Sequence, residues 1–331
     1  MLPALSRPAR RRALTAAAAV LAALGLLLWW LLPFGGPAPT GKIDFSTGVR
    51  TGVYQRYGEL LQQALAADLP DVQVNLRTSQ GSQQNLQRLA DGVSDFTIAT
   101  ADSVDKFRKD GAPGADRLRG CARLYDDYVQ LVVPQGSPVR SAADLRGRRV
   151  AVGQDGSGVR LLADRLLQAA GLDPHKDVKA VPTGIDTMPD LLRNQQIDAF
   201  FWSGGLPTNA VLKLSEAYPV RLVPLAGLVS ALHQADGSTG YYRAATMPAD
   251  AYPKAQRGVP VPTIAVANLL VTTDRTDTAL TEGFTRTVIN SRDRIGRVVH
   301  AAQLVDLRTA IYTDPLPLHE GARDYYRSVK P

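Results

Sequence analysis

The sequence predicts an α/β protein with two similar lobes around one ligand cleft, on three observations. The first is Arg148–Gly171 (RRVAVGQDGSGVRLLADRLLQAAG): an apolar run Val150–Val152, a Gly/Ser loop over 153–158, then Leu161, Leu162, Leu166 and Leu167 at helical spacing up to Gly171. The second is the same unit near the start, Lys42–Ala67, where Ile43 and Phe45 mark a strand and Tyr54, Tyr57, Leu61 and Leu65 the apolar side of a helix. The third is the alternation of strand and helix patterns through the chain, which implies βαβ units and largely parallel sheets. A strand, a glycine-rich loop and a helix start together leave backbone N–H groups aimed at one point, at the positive end of a helix dipole. Two such units, about a hundred residues apart, present helix N-termini to a single ligand between lobes.

The chain opens with a basic stub carrying Arg7, Arg10, Arg11 and Arg12, followed by Ala13–Leu32, which holds no charge. At about 1.5 Å per residue such a helix spans a bilayer core of roughly 30 Å. Trp29 and Trp30 fall where interfacial aromatics sit, and the arginines place the N-terminus in the cytoplasm. No small-x-small cleavage signature and no cysteine follow, so the reading is an uncleaved signal anchor rather than a cleaved signal peptide or a lipoprotein. Residues 33–41 (PFGGPAPTG) read as the tether to an extracytoplasmic body.

That body is long enough to build real cores, since 45% of the 331 residues are apolar. The formal charge of +7 owes four units to the stub; beyond residue 41 the balance is 34 basic against 31 acidic residues. Near-neutrality argues against a nucleic-acid partner. The lone Cys121 reads as a buried filler and forbids an internal disulfide. His175, His233, His300 and His319 lack metal-ligand spacing, and HExxH, G-x-S-x-G and GK[ST] signatures are missing. No metal, cofactor or catalytic residue is expected. The adjacent acids Asp126 and Asp127 read as a solvated edge or hinge rather than an acid/base dyad.

Between the two units the elements follow in order. Val72–Thr78 alternates as a strand, and Ser82 is the expected N-cap of a helix through Leu86, Leu89 and Ala90. Ser94–Thr100 is the next strand; later, Met188–Gln195 is a helix and Ile197–Trp202 a strand. In such sheets ligands collect beyond the strand C-termini. The loops expected there are Ser46–Thr51, Ser79–Ser82, Thr100–Ser103, Gln154–Gly158 and Ser203–Thr208, all rich in Ser, Thr and Gly.

Seven stretches in order then carry a family resemblance: STGVRTGVY (46–54), TSQGSQQNL (78–86), LADGVSDF (89–96), LRGRRVAVG (145–153) with GSGVR (156–160), QIDAFFWSGGLPT (196–208), Tyr252-Pro253 with VPTIAV (261–266), and LHEGARDYY (318–326). Together they resemble the TAXI family, the extracytoplasmic solute-binding subunits of one branch of the TRAP transporters, over about 43–327. The resemblance implies a two-lobed periplasmic-binding-protein-like fold of type II, closing over a small ligand. It also implies delivery of an organic anion, such as glutamate or a dicarboxylate or keto acid, to a fused-type membrane permease driven by an ion gradient; a monomer is expected because nothing in the sequence suggests an obligate dimer. By the same analogy Tyr125–Val133 is the first crossing between lobes and the return lies near 259–271. Lobe one is then about 43–130 plus 262–331, and lobe two about 131–261. Arg50 and Trp202, where smaller residues are usual, depart from the family pattern.

The candidate ligand contacts follow from loops and resemblance together. Ser157, Gly158 and Arg160 are expected to hold a carboxylate, Arg160 by a charged fork; against this stands Ser157 as a cap and Arg160 in solvent. Thr47, Thr51 and Tyr54 form the opposite wall, unless Tyr54 is core. Ser79, Ser82 and Asn85 either bind or cap. Thr100 and Asp102 end a strand where a ligand can lie, unless Asp102 caps the next helix, and Tyr128 sits on the crossing, unless it is hinge packing. Ser203, Gly204 and Thr208 close the second lobe's wall. Arg77 is assigned to the surface. Three rival readings stand beside the transport receptor: a tethered sensor, an enzyme on the same fold, and the binding protein of an ATP-driven importer for sulfonates or thiamine precursors.

Overall fold

The computed structural model describes residues 18–24, 38–235 and 238–329. The chain divides into a unit ending at Ala38 and a compact unit beginning at Pro39, and the fold is that of the second. Apart from the helical residues 18–24, the expected anchor over 13–32, with Trp29 and Trp30, lies outside the described residues, as does most of the tether. Among the described residues no helix is long and apolar enough to cross a membrane.

The first half runs β1 (Gly41–Ser46), α1 (Val53–Asp68), β2 (Val72–Arg77), α2 (Ser82–Ala90), β3 (Phe96–Thr100) and α3 (Ala101–Lys109). The long strand β4 (Leu118–Pro134) leads out of it. The second half comprises β5 (Arg149–Ala151), α4 (Gly158–Ala169), β6 (Lys179–Val181), α5 (Met188–Arg193), β7 (Ala199–Gly204), α6 (Asn209–Ala217), β8 (Val220–Leu222), α7 (Val229–Gln234), β9 (Arg243–Met247) and α8 (Pro253–Gln256). β10 (Val261–Thr273) returns, and α9 (Thr278–Asn290), α10 (Arg292–Gly296) and α11 (Glu320–Val329) complete the chain.

One sheet runs through both halves in the order β2-β1-β3-β10-β4-β7-β5-β6, with β8 on β4 and β9 on β10. Within each half the pairing is parallel, β2-β1-β3 on one side and β7-β5-β6 on the other. The crossing strands are antiparallel to each other and to their neighbours β3 and β7. The sheet is therefore mixed rather than largely parallel: a chain that leaves one half on β4 and returns on β10 must run the two strands in opposite senses.

Apolar residues gather into a core on each side. Ile43, Phe45, Leu61, Phe96 and Phe284 belong to one, and Val150, Leu162, Leu166, Phe200 and Tyr252 to the other. The leucines of α4 and the Tyr57, Leu61 and Leu65 stripe of α1 are buried, as their spacing predicts. The Phe96 and Phe284 rings stack at 4.1 Å between centroids, tying β3 to α9. Cys121 is fully buried, and Arg77 is exposed in an ion pair with Asp44.

Several local expectations change. Residue Gly81, at φ 128°, is the N-cap of α2, and Ser82 is its first helical residue; only a residue without Cβ enters the helix readily from that backbone. Asp102 caps nothing, since α3 begins after Thr100 and makes no side-chain cap bond. Asp126 and Asp127 are no solvated edge: both are buried, at 5% and 4% exposure, on a strand paired on both sides. Successive strand residues point to opposite faces, and the two acids accordingly have different partners.

Candidate functional site

All five Ser/Thr/Gly loops contribute to one cavity between the halves, with about 660 Å³ of space unfilled by atoms, solvent at its mouth included. Gly48 and Val49 come from the first loop, Gln80 to Ser82 from the second, Thr100 and Asp102 from the third, Gln154, Ser157 and Gly158 from the fourth, and Ser203 and Gly204 from the fifth. Gly52, Gly81, Thr100 and Ser157 are the N-caps of α1, α2, α3 and α4. Four helix N-termini thus border the same space, each carrying unpaired N–H groups and about half a positive charge.

The Gly/Ser loop before α4 shows how its residues serve this arrangement. Ser157 Oγ accepts from Arg160 N at 3.0 Å and donates to Gln154 O at 2.6 Å, so the cap and the loop brace each other. Gly153 lies at φ +85°, and a Cβ there would stand 2.9 Å from Ser157 Oγ and 2.8 Å from Arg160 N. The loop closes on α2 as well: Gln84 N donates to Gly156 O at 2.9 Å and Gln83 Nε2 to Ser157 O at 3.1 Å.

The expected contacts divide. Tyr54, Ser82, Thr100, Ser157, Gly158, Ser203 and Gly204 line the cavity; Thr47, Thr51, Ser79, Asn85, Tyr128, Arg160 and Thr208 do not. Asn85 is fully buried and accepts from Ser46 Oγ at 2.8 Å while donating to Thr47 O and Ile98 O at 2.7 and 2.9 Å. Thr47 Oγ1 donates to Gln55 Oε1 at 2.5 Å, and Ser79 Oγ to Thr47 O at 3.1 Å. These three knit β1, α2 and β3 together behind the loops. Thr51 bonds Asp186 at the exposed surface. Thr208 accepts from Trp202 Nε1 at 3.0 Å, fixing the indole. Tyr128 is half-buried against the second core.

Arg160 points away from the expected role. Its Nε donates to Asp164 at 3.0 Å, four residues on along the same helix face, and Asp155 stands 3.6 Å from its guanidinium. Arg50 is exposed and does not reach the cavity either. No Arg, Lys or His is among the described lining residues.

Instead the ionisable lining groups are acids and a phenol. Asp102, 1% exposed, accepts from Tyr242 OH at 2.6 Å and pairs with Arg165 at 3.2 Å, joining α3 to α4. Asp127 has a different setting. Asn268 Nδ2 donates to Asp127 Oδ1 at 2.7 Å, and Tyr54 OH donates to Asn268 Oδ1; the tyrosine proton fixes which way the amide points. No cation pairs with Asp127 among the described residues. Burial pushes its carboxyl up to about 7, with Asp126 and Asp102 adding to the rise and the Asn268 amide and Ser203 hydroxyl opposing it. Burial also raises the Tyr54 hydroxyl well above its usual range, helped by Asp127.

Sequence reasoning missed Asp127 and Asn268 as members of this constellation and set Asp102 beside a capping role; it also missed Val49, Val53, Val159, Leu162 and Val266 as the apolar wall they form with Trp202. The neighbouring acid Asp126 turns to Arg123, at 2.7 Å, and to Arg243.

The same fold occurs in solved structures of low sequence identity. A protein of Bordetella bronchiseptica RB50 superposes with a TM-score of 0.50 at 17% identity, covering 88% of this chain and 90% of that one. A putative L-cystine ABC transporter protein of Listeria monocytogenes gives 0.51 at 13% identity, covering 81% and 99%. An ancestral arginine-binding protein bound to arginine gives 0.51 at 15% identity, covering 78% and 98%. The architecture is that of the two-lobed periplasmic binding proteins. Residues 45–329 match the model of the NMT1-like family, and the chain belongs to that family.

Proposed function

We propose that the protein is an extracytoplasmic solute-binding receptor: it captures a small organic solute between two lobes and delivers it to a membrane transporter. The observation that carries this is the cavity on which four helix N-termini and the ends of both crossing strands' neighbours converge. Lobe one would comprise about 43–130 plus 262–331 and lobe two about 131–261, with β4 and β10 as the crossings. Closure would be driven by a ligand that touches both lobes and so binds the closed state better than the open one. The receptor binds its solute without transforming it and acts as a monomer, held at the outer face of the cytoplasmic membrane by the helix over 13–32.

The motif order favours a TRAP permease of the TAXI type as partner, with a carboxylate of the ligand at the helix N-termini. Membership of the NMT1-like family supports an ATP-driven importer equally well. Two experiments test the reading. Thermal unfolding of the full chain is followed against a library of amino acids, amines, dicarboxylates, keto acids and sulfonates; a ligand at 100 times its Kd stabilises by about 2.7 kcal/mol. Uptake of the hit into proteoliposomes holding receptor and permease then separates an ion gradient from ATP as driving force. Absence of any stabilising solute at 10 mM would refute the receptor reading. A hit that is bound but never transported would convert the receptor into a sensor.

A further inference from the structure

Building on the receptor reading, we infer that the ligand carries a protonated amine that lies on Asp127, an apolar body, and at most one carboxylate. The cavity would thus take a zwitterion or a simple amine rather than a dicarboxylate. Three observations carry this. First, the lining is short of positive charge: no described lining side chain is cationic, while Asp102 and Asp127 both face the space. Asp102 has Arg165; Asp127 receives the amide of Asn268 and the hydroxyl of Ser203, and no cation among the described residues.

Second, the lining has acceptors left over. Asp102 Oδ1 is buried without a hydrogen-bond partner. Ser203 Oγ, on a residue 8% exposed, turns its hydroxyl towards Asp127 and accepts from no donor among the described residues. Buried acceptors without donors are costly. An ammonium brings three donors and a positive charge, whereas a second carboxylate brings more acceptors and a negative one. Third, the remaining wall is Val49, Val53, Val159, Leu162, Val266 and the indole of Trp202. That surface suits an aliphatic or aromatic body and offers nothing to a second anion.

The setting of Asp127 gives the inference a pH signature. The groups around it are Asn268 and the Tyr54 and Tyr125 hydroxyls, Asp102 with Arg165 and Tyr242, and Asp126 with Arg123 and Arg243. The tyrosines, raised above their ordinary range, stay protonated between pH 5.5 and 8.5. Asp127 titrates near 7 in the free protein, so an amine must first find it ionised. Affinity for an amine should therefore rise about tenfold between pH 6 and pH 8 and level off above.

The test takes hits from the solute library into calorimetric titration with the full chain, from pH 5.5 to 8.5. Expected are amine-bearing hits, a tenfold gain from pH 6 to 8, and a loss of about 30-fold or more in Asp127→Asn. The deaminated analogue of each hit should bind at least as much more weakly. If the hits lack an amine, or bind more tightly as pH falls, the inference fails while the receptor stands. If no solute of any class binds, the receptor reading itself fails. Should Asp127→Asn not fold, the pH profile and the deaminated analogue decide alone.

Discussion

Asp127→Asn is the perturbation that most directly tests how this site is built, because it should stabilise the free protein. In the folded chain the Asp127 carboxyl holds its proton up to about 7, against an ordinary value of 3.8. Between those values the native state binds more protons than the unfolded one, so stability falls as pH rises, and it levels off above about 7. At 1.36 kcal/mol per unit the penalty at neutral pH is about 4 kcal/mol. An amide keeps the shape and accepts Asn268's bond through its oxygen, while removing the ionisation altogether. The expected result is a gain of about 2–4 kcal/mol above pH 7, shrinking towards zero near pH 4, read as the difference between wild-type and variant urea midpoints across pH. The gain is bought with function, as stabilising changes at strained sites usually are. Equal pH dependence in the two proteins would show that Asp127 is not held in a desolvated setting, and the reasoning would fall.

Four further outcomes follow from the geometry. Arg165→Met leaves buried Asp102 with Tyr242 alone and should cost about 3 kcal/mol; additive effects with Tyr242→Phe in a double-mutant cycle would refute the network. Gly321→Ala puts a Cβ 2.0 Å from Thr278 O and 2.8 Å from Glu282 N, so α11 must move off α9; a loss of about 3 kcal/mol or more is expected, and an unchanged denaturation midpoint would contradict it. Ser157→Ala removes the cap on Arg160 N at about 1 kcal/mol in thermal unfolding, whereas Ser157→Asp keeps it. Arg160→Ala should change affinity for a hit from the solute library less than threefold in titration calorimetry, since the side chain is committed to Asp164 and Asp155; a tenfold loss would restore it to the site.

Much of the scaffold was legible because periodicity reports burial. The alternation of β2 and the leucine spacing of α4 each describe one face against a core, and the structure buries those faces. The cleft loops were legible too, as Ser/Thr/Gly stretches at strand ends. What was not legible is which polar side chains turn inward. Arg160 was assigned by its distance from Gly158, but Asp164 one turn further on competes for it and lies on the same face. Asp102 sits where caps are common, and its partners come from 63 and 140 residues away. Asp127 meets Asn268 across 141 residues of chain. Only the pairing of β4 with β10 brings them together, with Val266 opposite Asp127, and no local pattern encodes that register. Gly321 belongs to a motif whose meaning is likewise tertiary: α9's backbone, from well before it in the chain, occupies the space a side chain would need.

The position of Asp127 and Asn268 on the two crossing strands bears on how ligand charge is coupled to closure. β4 and β10 pair with each other at the middle of the sheet, β10 also with β3 of the first half and β4 with β7 of the second, so groups on them are shared by both halves. The helix N-termini of α1, α2 and α3 belong to one half and that of α4 to the other, and these bring positive potential to the same cavity. On the two-lobed reading, a carboxylate would gain the helix ends of both halves only when the halves meet, as they do where Gln83 Nε2 donates to Ser157 O. On the same reading, an ammonium on Asp127 would relieve the burial of a carboxyl that no cation pairs with among the described residues, a burial that closure would deepen. A zwitterion therefore favours the closed state through both of its charges. A dianion favours it through one and opposes it through the other, because two like charges about 4 Å apart repel by about 4 kcal/mol at an effective dielectric of 20. Selection against dicarboxylates would then lie in closure itself, and need no clash with any side chain.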